Sequence, residues 1–302
     1  MNAPEPATAP TARPPRWLVL GASGFIGRAT VAALNAQNRT VRAVRHAAPM
    51  AGQPGVDAFD ADGLHRLLRD WPPDVLLNAM GHPAGVAAAS LEDFYGRSTA
   101  RLLTAVQAEA PACRVLLLGS AAEYGNSPAG TGSTENDHPR PLSDYGRAKC
   151  VQSSVAARFV AGGLSVVTAR LFNPLGPGQG TRQLAGALCD RIQRGERPLR
   201  VAGGRHVRDW IDIRDTARAL VLLGEVTAPS ATVNVCTGQG HTVAWLATEL
   251  GRRAGVPVVI EPGEVSPDVL WHSLGHPGRL QALGWRPRHS LPESLATLWP
   301  AA

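Results

Sequence analysis

The sequence predicts an α/β fold, a doubly wound parallel sheet with helices on both faces and a smaller C-terminal lobe. Three observations carry that prediction. From Trp17 onward, short apolar runs alternate with helix-length stretches, the pattern of repeated βαβ units. A cluster of glycines, Gly21-Ala22-Ser23-Gly24-Phe25-Ile26-Gly27, follows the first apolar run directly. Beyond Arg170 the regularity falls, with Pro174, Pro177 and several glycines breaking the chain. At 302 residues, 44% hydrophobic and 18% charged, the chain has enough apolar material for one large core with a lobe attached.

Taken in order, residues 1–16 are rich in Pro, Ala and Thr and are expected to form a flexible tail, with no apolar run of signal-peptide length. Strands are expected at Trp17–Leu20, Thr40–Val44, Val75–Ala79, Arg114–Leu118 and Ser165–Ala169. Helices between them should start near Phe25, Leu64, Leu91 and Tyr145, several with Asp or Ser close by as caps. A further helix is expected at about Gln183–Arg194, and Gly255–Pro287 reads as loop-rich. These elements divide the chain into a nucleotide-binding domain over 17–172, with 208–240 returning to it, and a substrate-binding lobe over 173–207 and 241–302.

Composition excludes several classes. The net charge of +6 and pI near 9.8 come from arginine, since Lys149 is the single lysine. No run of five or more basic residues and no basic helical face interleaved with aromatics occurs, so a nucleic-acid partner is not expected. No window reaches the roughly 18 to 20 apolar residues of a membrane span. Cys113, Cys150, Cys189 and Cys236 lie far apart without a CxxC pair, which predicts reduced thiols in a cytoplasmic protein and neither a zinc site nor a disulfide framework.

The glycine cluster sits at a strand-to-helix turn. Without Cβ atoms the backbone can approach a pyrophosphate, and the helix N-terminus offers unpaired N–H groups and a favourable dipole. This predicts a Rossmann-type dinucleotide site. Arg45 ends the second strand, 24 residues after Gly21. An acid here would suit the ribose diol of NAD, whereas arginine answers a 2′-phosphate, so NADP(H) is the expected cofactor; the alternative is a solvated strand end. Asp60 is a candidate for the adenine amino group or, equally, a helix cap.

The fourth strand delivers Gly119-Ser120, and Tyr145-Gly146-Arg147-Ala148-Lys149 opens a helix 25 residues later. Positions i and i+4 share a helical face, so Tyr145 and Lys149 can point together into a cleft. An ammonium nearby lowers the phenol pKa and makes it a usable acid/base, while the Ser120 hydroxyl orients a carbonyl.

GASGFIG, SAAEYG, YGRAK, ARLFNPLGPGQ, VRDWIDIRD and VNVCTGQ occur in this order between Trp17 and Pro287. Together they resemble the NAD-dependent epimerase/dehydratase family of extended short-chain dehydrogenases/reductases. The C-terminal motifs look most like those of GDP-6-deoxy-4-keto-mannose reductases and related nucleotide-sugar 4-ketoreductases. The resemblance implies a nucleoside-diphosphate sugar in the C-terminal lobe and a homodimer formed through helices including that of Tyr145. It also implies substrate contacts at Asn173, Arg208 and Arg279. Asn173 could instead cap the turn before Pro174, Arg208 could pair with Asp209, and Arg279 could be a surface residue.

Departures from the family pattern narrow the reading. Dehydratases of the family carry an Asp-Glu or Ser-Glu pair after the catalytic hydroxyl, because removing water needs a second acid/base; here Ala121 and Ala122 stand there, and Glu123 should point elsewhere. A C4 epimerase needs no such pair but retains its cofactor, whereas Arg45 suggests exchange with an NADP(H) pool. The expected activity is therefore NADPH-dependent reduction of the 4-keto group of a nucleoside-diphosphate 4-keto-6-deoxyhexose. Epimerisation, reduction of a natural-product aglycone, and a non-enzymatic dinucleotide sensor are the alternatives. The family's Arg-Pro step is Ser266-Pro267-Asp268 here and a later Asp is His276, which weakens the sugar-nucleotide assignment and leaves room for an apolar substrate; Trp210, Trp245, Trp271 and Trp285 enrich the C-terminal half in aromatics, with buried packing the expected use of most of them.

Overall fold

The computed structural model describes residues 13–45, 60–82, 90–128, 130–226, 231–266 and 268–299. Strand β1 (Arg16–Leu20) divides its side chains between two cores, Leu18 and Leu20 on one face and Trp17 and Val19 on the other. A strand apolar on both faces must be covered on both, and the elements that follow supply the cover. They are α1 (Phe25–Ala36), β2 (Thr40–Val44), α2 (Ala61–Asp70), β3 (Val75–Asn78), α3 (Leu91–Glu109), β4 (Arg114–Ser120), α4 (Asp144–Ala161) and β5 (Val166–Leu171). The second half comprises β6 (Asn173–Leu175), α5 (Leu184–Gln193), β7 (Leu199–Ala202), β8 (Val207–Asp212), α6 (Ile213–Glu225) and β9 (Thr232–Val235). It ends with β10 (Gly240–Thr242), α7 (Val243–Ala254), β11 (Val258–Glu261), β12 (His272–Ser273), α8 (Gly278–Ala282) and α9 (Leu291–Leu298).

The main sheet has six parallel strands in the order β2-β1-β3-β4-β5-β9. Leucines and valines of α2 and α3 close one face, while α1, α6 and Trp285 close the other. This is the doubly wound Rossmann arrangement the sequence predicts. Successive crossovers leave β1 in opposite directions, toward β2 and toward β3, so a crevice opens outside Leu20 and Asn78, where such sheets bind ligands.

The expected strands appear within a few residues, with β4 and β5 running on to Ser120 and Leu171. Helix α2 starts at Ala61 rather than Leu64 because Asp60 caps it, its carboxylate accepting the Gly63 N–H at 2.8 Å. The end of the expected tail is tied to the domain: Asp74 binds the Arg13 guanidinium and accepts the Arg16 N–H at 2.7 Å. The remainder of the expected tail, residues 1–12, lies outside the described residues, as does Pro267.

The lobe is built on β8, which pairs with β6, β10 and β12, and β7 pairs with β11. Its core gathers α5, α7 and Trp210, with Leu291 and Leu295 of α9. The return to the main sheet thus begins with α6 at Ile213 rather than at residue 208. VRDWID precedes a main-sheet helix, but the hydrogen-bond partners of this strand belong to the lobe. No described helix is long and apolar enough to cross a membrane.

Candidate active site

The glycine turn is built for close approach. Gly21 has φ +76°, and a Cβ there would lie 2.6 Å from the Ala79 carbonyl oxygen, so only glycine lets this turn pack on the chain leaving β3. At Gly27 a Cβ would meet the Gly21 carbonyl oxygen at 2.3 Å, which seats α1 tightly on the turn. Gly24 is the N-cap of α1, and no side chain caps the helix and no acid occupies its first turn. Ser23 and Gly24 are exposed, with Phe25 and Ile26 half-buried beneath them. The cradle therefore fits a pyrophosphate, which would take N–H groups that no side chain among the described residues caps. Arg45 stands beside it, since the Ala22 N–H donates to the carbonyl of the preceding Val44 at 3.0 Å. Asp60 spends its carboxylate on the cap of α2.

Ser120 is the last residue of β4 and lies level with Leu171 of β5. Its Oγ accepts the Ala122 N–H at 3.2 Å and hydrogen-bonds to the Tyr145 phenol. Helix α4 is started by Ser143, whose hydroxyl accepts the Gly146 N–H, so Tyr145 and Lys149 fall in its first turns on one face. Tyr145 remains 36% exposed, whereas Lys149 is buried. The Lys149 ammonium donates to the Leu118 carbonyl and to Gln152 Oε1, both at 2.8 Å. Burial lowers its pKa to about 7, against a raising effect of Glu123. Burial also raises the Tyr145 phenol well above its ordinary value. The structure thus brings Ser120, Tyr145 and Lys149 together at the carboxyl edge of the sheet.

Glu123 points away from that edge. It is fully buried, paired with Arg170 at 2.8 Å, and accepts the Ser120 N–H and the Ser153 hydroxyl. With Ala121 and Ala122 as the first two residues of the turn, no second carboxylate is offered beside Tyr145 by residues 121–123.

The three residues implied in substrate contact separate. Asn173 follows the end of β5 and donates from Nδ2 to the Asp209 carbonyl at 3.0 Å, a bond to β8 rather than a cap before Pro174. Arg208 lies beside it on β8 and binds the carbonyls of Val207 and Leu270. It does not pair with Asp209, whose carboxylate accepts the N–H groups of Thr237 and Gly238 and is raised by burial to about 6. Arg279 is not brought to this place. It donates to the carbonyl of Thr232, the first residue of β9, and to Asn136, at the amino end of a strand whose carboxyl end faces the site. Sequence reasoning missed Tyr95 of α3, whose phenol hydrogen-bonds to that of Tyr145. It also missed Tyr124, which donates to Asn234 at 2.8 Å with the Arg170 guanidinium over its ring. Both tyrosines have the spacing of ordinary core residues.

Known proteins are similar to this one along nearly the whole chain. Residues 17–236 match the model of the NAD dependent epimerase/dehydratase family. The chain is 34% identical to a dTDP-6-deoxy-L-talose 4-dehydrogenase (NAD(P)(+)) of Kitasatospora kifunensis, over 97% of this chain and 98% of that protein. It is 27% identical to a GDP-6-deoxy-D-mannose reductase of Pseudomonas aeruginosa, over 94% and 95%. Among solved structures, the UDP-glucose 4-epimerase of Thermus thermophilus in complex with NAD superposes with a TM-score of 0.80 at 26% identity, covering 93% of this chain and 97% of that one. With a glycine cradle at the switch point and a Ser, Tyr and Lys set beside it, the chain belongs to the NAD-dependent epimerase/dehydratase family, the extended short-chain dehydrogenases/reductases, enzymes that work with a nicotinamide dinucleotide.

Proposed function

We propose that this enzyme reduces the 4-keto group of a nucleoside-diphosphate 4-keto-6-deoxyhexose with NADPH, Tyr145 giving the proton. The observation that carries the reading is the Tyr145 phenol, hydrogen-bonded to Ser120 on a partly exposed residue, at the sheet edge that also holds the glycine cradle. Residues Gly21, Ser23, Gly24, Phe25, Ile26 and Gly27 would hold the pyrophosphate, Arg45 a 2′-phosphate, and Tyr145 and Lys149 the nicotinamide ribose. A nicotinamide dinucleotide bound there supplies the hydride for reduction and accepts it in the reverse direction.

The chain's own part is proton chemistry and orientation. Ser120 donates to the substrate carbonyl oxygen and fixes it against Tyr145. Tyr145 transfers its proton to that oxygen as negative charge develops, and Ser120 and Lys149 stabilise the phenolate left behind. Arg208, half-buried and donating to the carbonyls of Val207 and Leu270, is the cation proposed for the substrate diphosphate, with Asn173 beside it. The relative at 34% identity acts, by its name, at C4 of a dTDP-6-deoxyhexose, so a dTDP carrier is the first choice and GDP the second. Likeness to the UDP-glucose 4-epimerase supports C4 epimerisation as the second reading.

Consumption of NADPH and of NADH should be followed with dTDP- and GDP-4-keto-6-deoxyhexoses, each made in place by a dehydratase. Stoichiometric NADPH loss with one carrier is the expected result; no loss with either ketone, together with interconversion of a nucleoside-diphosphate hexose and its C4 epimer without net cofactor change, would replace reduction by epimerisation. Tyr145→Phe should lower turnover by about 10²–10⁴-fold and leave NADPH affinity within a few-fold. Turnover close to that of the parent would reject Tyr145 as the proton donor.

A further inference from the structure

Tyr95 comes from α3, a helix that contributes nothing to the Ser120, Tyr145 and Lys149 set, yet its phenol reaches the same place. It is 4% exposed. Its ring stands 6.1 Å from that of Tyr145 at 73°, and the two phenols are hydrogen-bonded, with the His82 N–H donating to the Tyr95 oxygen. The Lys149 ammonium lies 3.9 Å above the Tyr95 ring centroid, against 5.8 Å for Tyr145. A phenylalanine would fill the same space beside Phe94, whose ring is 5.2 Å away. A buried hydroxyl is retained at a desolvation cost that an apolar ring would avoid, and here its neighbour is the acid/base itself.

We propose that Tyr95 is a positioning residue for the proton transfer: its hydroxyl holds the Tyr145 phenol at rest and turns to donate to the Tyr145 oxygen once that oxygen has lost its proton. The proposal rests on the reading of Tyr145 as the proton donor. At rest Tyr145 donates to Tyr95, which by itself favours the protonated phenol. After transfer the Tyr145 oxygen is charged, Tyr95 and Ser120 both become donors to it, and a hydrogen bond to a charged acceptor is about twice as strong as a neutral one. Tyr95 therefore stabilises the phenolate more than the phenol. The other groups acting on the pair are Lys149 on α4, His82 beyond β3, Glu123 after β4 with its partner Arg170 on β5, and Arg182 ahead of α5.

Oxidation of dTDP-6-deoxy-L-talose, the reverse direction, needs Tyr145 as phenolate and so follows its ionisation. In Tyr95→Phe the rising limb of kcat/KM against pH should move about one unit alkaline. The rate below the limb then falls about tenfold and the high-pH plateau is retained. A limb that stays in place overturns the proposal, since lost packing alone lowers the rate equally at every pH. Tyrosinate ultraviolet absorbance is a readout independent of turnover. The chain has three tyrosines, and subtracting the Tyr145→Phe titration isolates Tyr145, whose ionisation must move up in Tyr95→Phe or the proposal fails. Tyr145→Phe, assayed alongside, separates the two failures. If it turns over normally, the proton-donor reading itself is wrong; if it is inactive while Tyr95→Phe moves neither readout, only the role of Tyr95 is wrong.

Discussion

Lys149 is the single lysine in a chain otherwise furnished with arginine, and its position explains why arginine would not serve. A guanidinium cannot give up its proton in a protein, whereas an ammonium responds to burial. The ordinary value of 10.5 falls to about 7 in the fold. Between those two pH values the unfolded chain binds a proton that the folded chain lacks, so the contribution of Lys149 makes the cofactor-free protein more stable as pH rises from about 7 toward 10.5 and flat below 7. Urea titrations of the parent and of Lys149→Met should therefore differ most at pH 7 and below, with the balance moving toward the parent at alkaline pH. A difference independent of pH would show that the ammonium is not desolvated. Its place on one helical face with Tyr145 could be read from the YxxxK spacing, because i and i+4 geometry is local. Tyr95 could not be read in that way, because a buried tyrosine on an amphipathic helix has the same pattern whether it packs or hydrogen-bonds.

Ser120, the serine proposed to orient the substrate carbonyl, is held by an element rather than by its own bonds alone. The single 3₁₀ turn Ala121–Glu123 closes on Ser120 through a capping box, and a Cβ at Gly146 would meet the Ala122 carbonyl oxygen at 2.5 Å, so turn and α4 are seated against each other. Glu123 anchors the turn through Arg170 from β5, both side chains buried. Removing one member of a buried pair leaves the other charge uncompensated. Arg170→Met should thus cost about 3–5 kcal/mol in chemical denaturation; a loss under about 1 kcal/mol would show that the other bonds to Glu123 carry the turn. Glu123 illustrates the limit of reading motifs. Its exclusion from the site follows from its distance along the turn, but its partner 47 residues away is set by the pairing of β4 with β5.

Two cores flank the main sheet and a third fills the lobe, yet the chain crosses between them repeatedly. Ile211 of the lobe strand β8 packs in a main-sheet core, and Asp209 on the same strand binds the segment leaving β9 and, at 3.4 Å, the N–H of Gly275. Asp215 of α6 accepts the N–H groups of Arg288 and His289, fastening the C-terminal segment to the main domain. Unfolding should accordingly be a single transition. Tryptophan fluorescence samples the main sheet through Trp17 and Trp285 and the lobe through Trp210 and Trp245; it should coincide with far-UV circular dichroism, and two separated transitions would mean that the lobes fold independently. The sequence by itself determined the βαβ alternation, the glycine cradle and the Ser120, Tyr145 and Lys149 set, because apolar periodicity, a positive φ and helical spacing all act within a few residues. Only the tertiary structure decided that β8 pairs within the lobe, that Arg279 bonds at the amino end of β9 and that Tyr95 meets Tyr145. Each of these depends on which distant segment supplies the partner, and a hydrogen bond or packed ring between distant residues leaves no period in the sequence.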